Sequence, residues 1–220
     1  MDSTPVGAFI NARPLLWAFT VGFFPGIFEE TGRLVAFKTL LKKRTQRETA
    51  ISYGIGHGGL AEVSIIMTYT MISYIAYGVL INTGLFNEIL DQARELAPNQ
   101  LSQMEGIGTQ LKEFSIITLL IIMFERVFAV FYHIGASILV FHACKDKKKF
   151  WLYPLSVVIH GLIDTMGGIA LAKVVEIPDL VFEELFAAAA LATFLCAYFL
   201  LYRKDKAKVL PEEPVTQTVS

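Results

Sequence analysis

The chain has 220 residues, of which 54% are hydrophobic and 18% charged. Its mean hydropathy is +0.53, a balance too apolar for a soluble domain of this length, and it points to a membrane. A net charge of −1 and a pI near 6.4 supply no basic field to hold nucleic acid, and Cys144 and Cys196, in apolar stretches without CxxC spacing, exclude a disulfide framework or dithiol redox chemistry.

The N-terminus carries Asp2 and a single Arg13 before its first long apolar stretch, not the basic, short-apolar pattern of a cleaved signal, so the first helix is expected to be retained. Five stretches reach the ~20 helical residues that cross a hydrocarbon core: Pro14 to Leu41, Ala50 to Ile81, Phe114 to Ala143, Phe150 to Ala172 and Leu185 to Tyr202. The fold class is therefore all-α, a polytopic transmembrane helix bundle occupying residues 1–208. The first three stretches exceed one crossing, so tilt or kinks are expected, with Pro25 the kink site in the first.

KKRTQR at 42–47, KDKKK at 145–149 and RKDKAK at 203–208 hold 12 of the 19 Lys and Arg. The loops between them are acidic. Positive-inside bias puts the N-terminus outside and the C-terminus in the cytoplasm, in the cell membrane. In the outer loop, 83–113, the spacing of Leu85, Phe86, Ile89, Leu90, Ala93 and Leu96 predicts a helix stopped by Pro98, lying on the interface or packing over the bundle. Residues 209–220 read as a polar, disordered tail.

Glu29, Glu30, Arg33, His57, Glu62, Arg126, His133, His160 and Asp164 fall inside these stretches. Translocon scales penalise a central Asp, Lys or Arg by about 2.5–3.5 kcal/mol, so they must face one another or water. Depth follows from the ~1.5 Å rise per helical residue. Glu29 and Glu30 lie 13 and 12 residues before Lys42, His57 lies 10 after Arg47, His133 lies 12 before Lys145, and His160 lies 11 after Lys149. Four helices thus bring two carboxylates and three imidazoles to one level, roughly 15–20 Å from the basic face. Asp164 shares the His160 face one turn on.

Such a polar layer in a helix bundle is where ligand and metal sites are built. GxxxG spacings at Gly22 and Gly26, and at Gly54 and Gly58, permit close packing around it. Glu29 and Glu30 point about 100° apart, so one can face a cavity as general base while the other pairs with Arg33. His57, His133 and His160 with a carboxylate form an acceptable zinc set; they could equally donate to an oxyanion, and no HExxH motif decides between the two. Glu125 and Arg126 count out to about 30 Å from the inner loop, where an outer-interface salt bridge is expected. Glu62 and His142 are placed outside the site by their helix faces.

EETGR at 29–33, YGIGH at 53–57 followed by GGL, ERVFAVFYH at 125–133 and HGLID at 160–164 resemble the YhfC family of intramembrane metalloproteases. That family is similar to the CAAX-processing and bacteriocin-processing membrane proteases, whose motifs are Glu-Glu-x-x-x-Arg, Phe-x-x-x-His and His-x-x-x-Asn or Asp. Here the Arg stands one residue closer to the Glu pair and Tyr53 replaces the Phe, so His57 and His133 are both candidates for the second-motif histidine. Relatives of this kind also carry helices N-terminal to the point where this sequence starts.

The resemblance implies that Glu29 activates water with Glu30 held by Arg33, and that His160 and Asp164 stabilise the oxyanion or hold metal. The expected activity is hydrolysis of a peptide bond in a membrane-embedded or membrane-proximal substrate. The rivals are a non-catalytic scaffold or peptide-resistance factor of the same architecture, and an ion or metal transporter.

Overall fold

A computed structural model describes residues 4–113, 116–172, 174–176 and 178–205. The expected polar tail, 209–220, lies outside the described residues, as do Phe114 and the Glu62 side chain. The described chain is all helical apart from short connections, with no strand among the described residues.

Helix α1, Pro5–Asn11, has its N-cap at Thr4, whose hydroxyl accepts from the Gly7 amide, and α2 runs Pro14–Lys38. The two are bent by 110° where Pro14 opens the second helix, the position at which proline's missing N–H removes no bond. Pro25 sits inside α2, which continues on both sides of it. The segment expected over 50–81 is helical throughout but in three kinds: α3, Glu48–Ile55, a π-helical stretch Gly56–Ile66, and α4, Met67–Asn82. Four glycines in GIGHGGL weaken the ordinary α register there, and π geometry is frequent at functional sites. Gly84, at φ +79°, opens α5, Leu85–Leu96, the helix expected in the outer loop. A second loop helix, α6, Leu101–Glu113, follows Pro98. Three longer helices complete the bundle: α7, Ile116–Lys145, α8, Leu152–Leu171, and α9, Asp179–Ala197, the last ending in a π turn at Tyr198–Tyr202.

Among the described residues three helices are long and apolar enough to cross a membrane, or four when the bent α1–α2 pair counts as one span. Phe24, Phe28, Ile72, Ile75, Leu120 and Leu162 project outward, each at least half exposed, as a lipid-facing surface requires and a soluble monomer's surface would not.

Close backbone approach positions the site. A Cβ at Gly22 would collide with the backbone of Thr165, and one at Gly26 would lie 2.8 Å from the Gly161 nitrogen. Helices α2 and α8 therefore run antiparallel in near contact, with no room between them for larger residues. Gly54 and Gly58 do the same for α3 and the π stretch against Ile134 and His133 of α7. Ala18, Ala50, Ala136 and Ala190 are fully buried.

Candidate functional site

The four helices that carry the charged residues converge, and the two adjacent glutamates separate as their 100° offset demands. Glu30 is fully buried. Its Oε1 accepts from Arg33 Nη1 at 2.5 Å and from His160 Nδ1 at 2.9 Å, and its Oε2 accepts from the Ser156 hydroxyl at 2.6 Å. Three donors and a guanidinium charge satisfy this carboxylate, the condition on which a buried ion pair is tolerated.

Glu29 faces the other way. Its side chain keeps 28% exposure and its Oε2 lies 3.2 Å from His57 Nε2 and 3.8 Å from His160 Nε2. Asp164 Oδ2 lies 3.4 Å from the same His160 nitrogen, one turn along α8. The His133 ring meets the His57 ring edge-on at 5.0 Å and the His160 ring at 5.9 Å. A cavity of about 230 Å³ opens on Glu29, His133, His160 and Asp164, room for several waters at ~30 Å³ each. All seven residues expected in the site, Glu29, Glu30, Arg33, His57, His133, His160 and Asp164, are thus in one constellation.

Hydrogen-bond chemistry decides the imidazole tautomers. Arg33 Nη2 lies 3.0 Å from His133 Nδ1, and a guanidinium can only donate. His133 Nδ1 therefore accepts, and the neutral ring carries its proton on Nε2. His160 is the opposite case, since Nδ1 donates to the Glu30 carboxylate.

These assignments test the site against a metal. Glu29, His57 and His133 each offer a ligand atom within 4.8 Å of the others, and the 3.2 Å separation of Glu29 from His57 matches the ~3.3 Å between ligands held ~2.0–2.1 Å from a tetrahedral zinc. His133 does not complete the set in this arrangement. One of its nitrogens is engaged by Arg33 and the other bears the proton, whereas a ligand nitrogen must offer a lone pair. His160, also expected as a ligand, holds its Nε2 3.8 Å from Glu29 Oε2, but among the described residues it stands outside the group whose ligand atoms all lie within 4.8 Å of one another. Glu29 and His57 are thus left as two ligands where protein catalytic zinc sites supply three.

Two residues of the site were missed in the sequence. Ser156 stands one turn before His160 and two before Asp164, so the face 156, 160, 164 was available as a spacing signal. Tyr132, beside His133, is buried among the imidazoles and lines the cavity. Glu125 and Arg126 form the ion pair expected of them, and both also line the cavity onto which Glu29 opens. His142 lies apart, with Nδ1 donating to the Ile138 carbonyl at 2.8 Å and Nε2 at 3.5 Å from Asp205.

A family model described as YhfC intramembrane metalloprotease matches residues 3–187. A curated relative from Bacillus subtilis strain 168, described as an uncharacterised membrane protein YhfC, is 29% identical over 167 residues, covering 74% of this chain and 61% of the relative. The chain thus spans under two thirds of that relative's length. No solved structure matches.

Proposed function

From the premise that this membrane protein belongs to the YhfC intramembrane metalloprotease family, we propose that it hydrolyses a peptide bond within or beside the bilayer with Glu29 as general base. The observation that carries this reading is the division of labour in the glutamate pair. Glu30 is saturated by Arg33, His160 and Ser156, while Glu29 is held through Oε2 by His57 and opens on a cavity. A carboxylate that keeps 28% exposure on a cavity with room for water is positioned to take a proton from that water.

Water bound at Glu29 attacks the scissile carbonyl carbon as its proton passes to Glu29. The carbonyl π electrons move to oxygen, and the Nε2–H of His133, its tautomer set by Arg33, donates to that oxyanion. Collapse of the adduct breaks the C–N bond, and the proton on Glu29 goes to the leaving amine. His160, oriented by Glu30 through Nδ1, presents Nε2 3.8 Å from Glu29 and 3.4 Å from Asp164, where it steadies the two carboxylates only in its imidazolium form, with a proton on Nε2 as well. The test is cleavage of a fluorogenic membrane-spanning peptide by the purified protein in lipid nanodiscs. Binding of that peptide with no cleavage would favour the scaffold alternative.

Because the ligand set is short of a third nitrogen, purified active protein is expected to hold well under one equivalent of zinc, and dialysis against a chelator should leave peptide cleavage intact. Elemental analysis with a parallel cleavage assay checks this. Near-stoichiometric zinc that falls in His133→Ala would show that His133 gives up its Arg33 bond to bind metal, and would overturn the tautomer assignment.

The orientation we propose has the basic loops in the cytoplasm and 83–113 outside. In a background lacking Cys144 and Cys196, an impermeant thiol reagent should label a cysteine at Asn99 and spare one at Gln46. The reverse labelling would invert the bundle while leaving the common depth of the site untouched.

A further inference from the structure

Tyr132 is 3% exposed, and its ring lies edge-on to His160 at 5.0 Å and to His133 at 5.5 Å. It lines the cavity onto which Glu29 opens. Its hydroxyl has no hydrogen-bond partner among the described residues. A buried tyrosine normally finds one, and a phenylalanine would keep the same ring contacts without a buried, unpaired donor. The donors around it are already committed. Arg33 serves Glu30 and His133, Ser156 serves Glu30, and His160 Nδ1 serves Glu30. An uncommitted O–H on a residue that lines the cavity onto which Glu29 opens is what a developing negative charge requires.

We propose that Tyr132 is a catalytic residue whose hydroxyl donates to the tetrahedral oxyanion, as second donor beside His133 Nε2–H; this rests on the hydrolytic reading of the site. In the step it serves, water oxygen bonds to the carbonyl carbon, the water proton goes to Glu29, and the carbonyl electron pair becomes the oxyanion that both donors hold. Tyr132 keeps its own proton throughout. When the C–N bond breaks and Glu29 protonates the amine, the carbonyl re-forms and the hydroxyl returns to its starting state. The hydroxyl thus favours the transition state over the ground state, because the oxygen it holds is charged only there.

Tyr132→Phe tests this in the full chain in lipid nanodiscs, with the fluorogenic membrane-spanning peptide as probe and thermal unfolding measured alongside. Removing one oxyanion donor is expected to lower kcat by ~10²–10³-fold with KM nearly unchanged. Deleting a buried unpaired hydroxyl should leave Tm the same or raise it. Unchanged kcat would overturn the proposal. So would a lowered Tm with a proportionate loss of active protein, since the hydroxyl would then be holding structure. If the unmodified protein cleaves the probe and Tyr132→Phe equals it, the hydrolytic reading stands and the Tyr132 role alone falls. If the unmodified protein and Glu29→Gln are both inert, the hydrolytic reading itself fails and takes the Tyr132 role with it.

Discussion

Glu29→Gln is expected to fold as the unmodified protein does and to lose at least the ~100-fold of turnover that follows loss of a general base. The amide matches the carboxylate in size and still accepts from His57 Nε2, 3.2 Å away, so the helix contacts and the cavity survive. It cannot take a proton from water. Since Glu29 is the partly exposed member of the pair, no buried charge is left unpaired and unfolding should barely move. The measurement is single-turnover cleavage of the membrane-spanning peptide alongside thermal unfolding. Retained turnover in a folded Glu29→Gln protein would remove Glu29 from the mechanism.

Glu30→Gln should fail in a different way. Its carboxylate has 0% exposure, as does the Arg33 side chain, and removing the negative charge leaves a guanidinium buried without its counter-ion. Breaking a buried pair from one side costs about 3–5 kcal/mol, a large fraction of the ~5–15 kcal/mol that holds a typical domain together. The amide can also offer only one oxygen where Arg33, His160 and Ser156 now donate to two. Expression and Tm should fall sharply, with activity lost in step. Replacing both partners with apolar residues, Glu30→Met with Arg33→Met, should recover part of the stability without recovering turnover, because His133 would then lose the donor that sets its tautomer. A Glu30→Gln protein with unaltered Tm would show that the pair does not hold α2 in place.

These contrasting outcomes trace to a single helix turn, which shows how far the sequence reaches. The common level of Glu29, Glu30, His57, His133 and His160 was legible because helical rise is constant and the basic clusters mark one membrane face. The division between the glutamates was legible too, since residues one apart cannot share a face and Arg33 is three on from Glu30. The loop helix at 85–96 followed from its apolar period and Pro98.

Depth, however, leaves rotation about each helix axis free. That Arg33 reaches across to His133, that Ser156 backs Glu30, and that Tyr132 sits between two imidazoles depends on how α7 and α8 are turned against α2. Those turns are set by backbone contacts at Gly22, Gly26 and Gly54, and by the His133 side chain against Gly58, whose partners no single segment reveals. The π stretch that begins at Gly56 rotates the chain beyond His57 out of the α register, so face arguments for that segment lose their basis there. Glu125 and Arg126 mark the limit from the other side. Counting along α7 gave their distance from the basic face, but only the packing of α7 beside α2 and α8 decided that the cavity extends to them, because the sequence sets distances along a helix while the space between helices belongs to all of them at once.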